Sequence, residues 1–283
     1  MPESRAHRRR GRLRWIPPRV FLGAALVALM GSLALLAEVV APGDPWRPVG
    51  PPLHPPSAQY WGGTDDLGRD LWVQVIHGTR VSLLLGLATA ALAAGLGGLV
   101  GGLSGYCGGR VDDVLMRLTE VAQLLPRFLL ALLVASLFGA HRTTLILLLG
   151  STLWPSPARL LRAQLLSLRE RDFATAARAL GSPGWRTVVR HLFPQALPPV
   201  IASATLQVGS AILIEAGLSF LGLRIGDVPS WGYLLNNAQA FLRLAWWMAA
   251  GPGLALTLTV LGIHLLAEGF GDMRIREDTW RAQ

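Results

Sequence analysis

Lysine is absent from this 283-residue chain, and all 26 of its basic side chains are arginine. That excludes a Walker-type phosphate loop, whose lysine reaches the β and γ phosphates, so a nucleotide, if one is used, binds to another chain. A single cysteine, Cys107, excludes an intrachain disulfide. Charged residues make up only 15% of the chain, against 52% hydrophobic ones. No nucleophile stands beside a candidate base and no paired carboxylates mark a cleft, so no catalysis is expected of this chain. His54, His77 and His141 are scattered without ligand spacing, so no metal site is expected of them.

What the chain has in abundance is apolar runs. A helix rises about 1.5 Å per residue, so about 20 apolar residues cross the hydrocarbon core. Six stretches qualify: residues 20–41, 81–103, 114–138, 143–166, 197–221 and 248–270. Pro155 and Pro157 interrupt the fourth, with Arg159 and Arg162 near its end, which predicts a kinked helix leaving the membrane. The net charge of +9 is sorted by loop, with seven arginines in residues 1–19 and seven in residues 159–190. Both groups flank apolar spans, as cytoplasmic segments do, and the sorting argues against a nucleic-acid partner. Six spans then place 41–80 and 222–247 outside and return the carboxyl terminus to the cytoplasm. The first run exceeds the apolar core of a cleavable signal and reads as an anchoring helix.

The expected fold is an all-α integral membrane protein with six transmembrane helices and both termini cytoplasmic. Its parts are a basic cytoplasmic tail (1–19), a first transmembrane helix (20–41), an external loop with an interfacial helix (42–80), a transmembrane core (81–272) and a cytoplasmic tail (273–283). Seven prolines between residues 41 and 56 predict an extended start to the external loop. The sequence GTDDLGRD (63–70) follows, then Leu71, Trp72, Val75 and Ile76 on one side of a helix expected in the outer interface. The acids Asp65, Asp66 and Asp70 lack the spacing and bidentate Glu of a calcium loop and suit capping and turns. Trp231, Tyr233, Trp246 and Trp247 fit an aromatic belt. Glycines recur every four residues, as Gly97, Gly101 and Gly105 and again as Gly98 and Gly102, which predicts close helix packing.

Intramembrane charges need a polar destination, because each costs about 2.5 to 3.5 kcal/mol at the bilayer centre on insertion scales. On one continuous helix, Asp113, Arg117, Glu120, Gln123 and Arg127 fall within an arc of about 120°. They are expected to line a water-filled path, contact a partner subunit or project into the cytoplasm, with Arg117 and Glu120 alternatively a simple pair one turn apart. Arg127, deeper and beside Pro126, is the stronger candidate for a path. Ser203, Gln207 and Ser210 share a face of the fifth span, where uncharged groups would pass a polar solute without holding it. Thr257, His264 and Glu268 form a stripe in the sixth, read as interhelical hydrogen bonding or, for the last two, a proton or metal relay. Glu215 is an isolated buried acid, to be satisfied by neighbouring hydroxyls or backbone.

Residues 175–194, TAARALGSPGWRTVVRHLFP, form an arginine-rich segment between two apolar stretches. Leu168, Phe173, Ala176, Ala177 and Leu180 have helical spacing, and Gly181 can end that helix. Ser182 caps and Pro183 opens a second helix with Trp185, Val188, Val189 and Leu192 on one side, ending at Pro194. That pattern predicts a compact docking knob.

The segment resembles the cytoplasmic coupling loop of ABC importer permeases in its Ala176, Ala177, Gly181, His191 and Pro194. GTDDLGRD, EAGLSFLG (215–222) and PSWG (229–232) resemble the second permease subunit of the dipeptide/oligopeptide/nickel branch. The resemblance runs over residues 60–272. It implies a type I permease fold with a coupling loop at 167–195, in which Thr175, Ala176, Ala177, Arg178, Gly181, Ser182, Trp185, His191 and Pro194 meet an ATPase. The family usually has Glu before the Ala-Ala pair, and Thr175 stands there instead, so an acidic contact at that position is not implied. It implies a translocation path including Glu120, Gln123, Arg127, Ser203, Gln207, Ser210 and Glu215. No cofactor is expected in this chain, with ATP and Mg held by partner subunits. The implied partners are a homologous permease, two cytoplasmic ATP-binding subunits, an extracytoplasmic solute-binding protein and a di- or oligopeptide, with nickel chelates as a narrower option. The bacterial or archaeal cytoplasmic membrane is the implied location. An autonomous proton-coupled transporter is the competing class.

Overall fold

A computed structural model describes residues 18–139, 141–170 and 184–281. Among these residues every regular element is helical, apart from two isolated bridges, Pro48 to Arg69 and Thr64 to Asp70. The helices are α1 (Pro18–Leu35), α2 (Ala37–Val40), α3 (Leu71–Cys107), α4 (Gly109–Leu124), α5 (Arg127–Phe138), α6 (Arg142–Leu153), α7 (Pro155–Arg169), α8 (Gly184–Thr187), α9 (Phe193–Phe220), α10 (Trp231–Ala238) and α11 (Trp247–Arg281). A π-helical turn, Val188–Leu192, joins α8 to α9.

Four helices have the length and apolarity to cross a membrane: Pro18–Leu35, Leu71–Cys107, Phe193–Phe220 and the segment Trp247–Gly269 of α11. The bent pair α4 and α5 makes five if it is one crossing. The expected second span and the interfacial helix before it form one helix of 37 residues. No proline interrupts residues 71–107, so nothing breaks the hydrogen-bond ladder at the membrane edge.

Two expected spans are divided. The third breaks at Leu125 and Pro126, both extended, and its halves meet at 72°. Proline lacks an amide hydrogen and pushes the residue before it out of the α region, which accounts for the elbow. The fourth is cut at Trp154 and Pro155 into helices of 12 and 15 residues.

The core is assembled around α3. Its most extensive packing is against α7, followed by α9 and α6. Only one of the two glycine stripes makes the α7 seam. A methyl group on Gly97 would lie 2.7 Å from Pro157 Cγ and 2.8 Å from the Trp154 carbonyl oxygen, and one on Gly105 would lie 2.9 Å from Leu165 Cβ. At Gly101 the obstacle is the backbone of Ala158. The other stripe packs loosely, with open space at Gly98 and only contacts at 4.0 Å at Gly102. Close helix approach is therefore a property of the 97, 101, 105 row.

Candidate functional site

The sequence motifs gather at two opposite ends of α3. At its start, GTDDLGRD folds around Asp65, which is fully buried. Its carboxylate accepts from the amides of Leu67 and Arg69, both at 2.9 Å, from Arg69 Nε at 2.6 Å and from Gln74 Nε2 at 2.9 Å. Asp70 caps α3 by accepting from the Trp72 amide at 2.8 Å. Asp66 accepts from Asn237 Nδ2 of α10 at 2.7 Å. The three acids thus serve turn, cap and bridge, and among the described residues no group of His, Cys, Asp or Glu could hold a metal.

The same end holds the other two outer motifs. Trp46 donates to the Asp227 carbonyl and lies under the guanidinium groups of Arg69 and Arg224, 5.2 Å and 4.5 Å from its ring centroid. Trp231 is fully buried and donates to the Val75 carbonyl at 3.1 Å. Gly232 sits against the backbone of Ala216, where no side chain fits. Glu215 lies beneath, fully buried. Ser219 Oγ donates to it at 2.8 Å and Ser82 Oγ at 3.5 Å, while Ser230 Oγ donates to Ser219 Oγ at 3.2 Å. One carboxylate thereby ties α3, α9 and the cap of α10. It is enclosed in a polar knot, so in this conformation it lines no open path.

At the far end of α3 a second lock appears. Arg162 of α7 makes a bidentate pair with Asp112 of α4, both bonds at 2.5 Å, and Ser104 Oγ also donates to Asp112. Such fork-to-fork pairs fix orientation as well as adding energy. Arg169 Nη1 donates to the carbonyls of Gly105 at 2.9 Å and Tyr106 at 3.3 Å, closing the end of α3. Beside this lock, Leu161, Leu165 and Leu168 of α7 pack with Val188, Leu192, Ala196 and Val200. Both flanks of the arginine-rich segment are therefore attached to each other and to α3.

Of that segment, Thr175, Ala176, Ala177, Arg178, Gly181 and Ser182 lie outside the described residues. Trp185 and His191 are described in backbone only, in α8 and the π turn. Pro194 does not end the second helix as the sequence predicts. It follows the π turn directly, and helical backbone runs through it from residue 184 into the long helix. π turns are rare and often mark functional positions.

The polar stripe of the third span is not continuous. Arg117 and Glu120 pair at 3.3 Å on an exposed face of α4, whereas Arg127 starts α5 beyond the elbow. Gln123 is half-buried. On α9, Gln207 is buried, Ser203 half-buried, and Ser210 donates to the Leu206 carbonyl at 3.2 Å. In α11 the hydroxyl of Thr257 bonds to Gly253 and His264 Nδ1 to Val260, at 2.8 Å and 2.9 Å. Both bonds stay within one helix, and Thr257, His264 and Glu268 are all exposed.

The inner lock escaped the sequence reading. Asp112 and Arg162 stand 50 residues apart, and a single acid in a turn or a single arginine at a span's end is an ordinary boundary residue.

The arrangement offers rigid attachment at both ends of one long helix, with an elbow and a polar face between. In comparison with known proteins, residues 97–274 match the family described as "Binding-protein-dependent transport system inner membrane component". The chain is 37% identical over 256 residues to a putative peptide transport system permease protein of Brucella suis, covering 89% of this chain and 86% of that one. It is 35% identical over 259 residues to a probable D,D-dipeptide transport system permease protein of Escherichia coli, covering 90% and 87%. A di/tripeptide transport system permease protein of Pseudomonas aeruginosa is 36% identical over 258 residues, covering 88% and 85%.

Proposed function

Because the chain belongs to the family of binding-protein-dependent transport system inner membrane components, we propose that it is the pore-forming permease subunit of an ATP-driven importer of di- or oligopeptides. It is a multi-pass protein of the bacterial cytoplasmic membrane, with six crossings, α4 with α5 forming the third and α6 with α7 the fourth. Both termini face the cytoplasm. A homologous permease supplies the other half of the pore, two cytoplasmic subunits bind ATP and Mg, and an external solute-binding protein delivers the peptide. The path runs past Glu120, Gln123 and Arg127 on one side and Ser203, Gln207 and Ser210 on the other.

The observation that carries this reading is the inner lock. ATP binding on another chain can bias the pore only if the docking segment moves together with the spans, since a ligand shifts an equilibrium only through contacts that differ between its states. The Arg162 to Asp112 pair, the Arg169 contacts and the unbroken helical path from residue 184 into α9 supply that linkage. The test is affinity purification of the chain from its native membranes in mild detergent, with mass spectrometry of what accompanies it. Recovery of a second permease and ATP-binding subunits is expected, with ATP hydrolysis stimulated by peptide-loaded binding protein. Recovery of the chain alone, transporting along a proton gradient without ATP, would overturn the proposal.

A further inference from the structure

Two charges near the outer end of the bundle have no opposite charge in contact. Glu215 is fully buried, and the hydroxyls of Ser219 and Ser82 donate to it. Among the described residues no cation lies at salt-bridge distance from it. Neutral hydroxyls offset only part of the cost of taking a carboxylate out of water. Arg142, the first residue of α6, has a buried Nε with no hydrogen-bond partner. Buried donors in folded proteins are nearly always paired, and a charged one more so.

Both groups border one loop, Glu215 through the serine chain and Arg142 through its guanidinium. The Arg142 guanidinium rests against the turn at Gly226, where φ is +80° and a methyl group would lie 3.1 Å from Nη2. That turn belongs to the loop linking α9, which carries Glu215, to α10, whose cap Ser230 closes the serine chain. The elbow between α4 and α5 leads into that same region, and Phe128, just after it, packs over Gly217, two residues from Glu215.

We infer that Glu215 and Arg142 are positioning residues for transport, the two halves of an ion pair that is open in this conformation and closes in the other state of the outer end. The serine knot holds the carboxylate while the pair is open, and the guanidinium replaces those hydroxyls when it closes. This rests on the importer reading proposed above.

The test uses the complete importer, this chain with its partner permease, ATP-binding subunits and binding protein, reconstituted in proteoliposomes. Glu215→Gln and Arg142→Gln are each expected to lower peptide uptake about tenfold, and the double variant to be no worse than either single one. Glu215→Gln retains an acceptor for the serines, so its melting temperature should stay within about 2 °C of the parent. In a Cys107→Ser background, the pair Glu215→Cys and Arg142→Cys, treated with a bifunctional thiol reagent as long as the two side chains they replace, should cross-link in only one of the nucleotide-free and ATP-trapped states. Losses that multiply in the double variant, or cross-linking that is equal in both states or missing from both, would overturn the inference. Failure of the parent complex to take up peptide with ATP would instead refute the importer reading.

Discussion

The α3 to α7 seam allows a sharp comparison between two glycines three residues apart. Gly101→Ala would set a methyl group against the backbone of Ala158, with its carbonyl carbon and Cα both at 3.0 Å and its oxygen closer. Backbone cannot rotate aside as a side chain can, so the helices must part. A gap of about 0.5 to 1 Å forfeits a quarter to a half of each van der Waals contact of about 0.1 to 0.2 kcal/mol. Spread over a few tens of atom pairs along the Gly97 to Gly105 row, the loss is about 2 to 3 kcal/mol, and the gain in helix propensity returns about 1. The net cost of about 1 to 2 kcal/mol corresponds to a fall of roughly 2 to 8 °C in a protein of this size. Gly98→Ala meets nothing within 4 Å and keeps the propensity gain, so its melting temperature should hold or rise. Thermal melting of the two detergent-purified variants decides the matter. Equal shifts of either sign would mean that the 97, 101, 105 row is not the packing seam.

Two further outcomes follow from the geometry and a third from the sequence. Asp112→Asn and Arg162→Gln should each cost about 1 to 3 kcal/mol, the range for breaking a buried pair reduced because the Arg162 side chain is 33% exposed. In the assembled importer both should lower uptake per ATP hydrolysed, and uptake and hydrolysis falling in step would argue against a linking role. Asp65→Asn, which loses its ion pair with Arg69 at a fully buried site, should destabilise the fold by about 3 to 5 kcal/mol, against about 1 kcal/mol for the cap variant Asp70→Ala. Similar thermal shifts for the two would refute the assignment of Asp65 as the loop's anchor. Gly181→Val, at the glycine with which the sequence predicts the end of a helix, should uncouple ATP hydrolysis from uptake in the assembled importer, and normal uptake at normal protein level would reject that expectation.

Much of the helical content was legible because burial in lipid demands it. Apolar runs of about 20 residues have few alternatives when every backbone polar group must be paired within the segment. The same logic fails at the breaks. The third run looked continuous because apolarity says nothing of direction, yet one proline turned it by 72° and split the polar stripe that a straight helix would have aligned. Conversely, Pro194 read as a stop, yet helical backbone passes through it directly after a π turn. The capping role of Asp70 was readable from residue type and position. The choice between the two glycine rows was not, because both have the same spacing.

The sequence by itself determined the class of the protein: a helical membrane chain with arginine-marked ends, no nucleotide loop of its own, and motifs that resemble a transport permease. These are local properties, set by run length, residue type and short spacing. The tertiary structure alone decided which residues act together. It joined Asp112 to Arg162 across 50 positions, enclosed Glu215 among serines from three elements, and left Arg142 against the turn at Gly226 with a buried, unpartnered Nε. Charge pairing and backbone contact depend on distance in space, and no property of either residue alone encodes that distance.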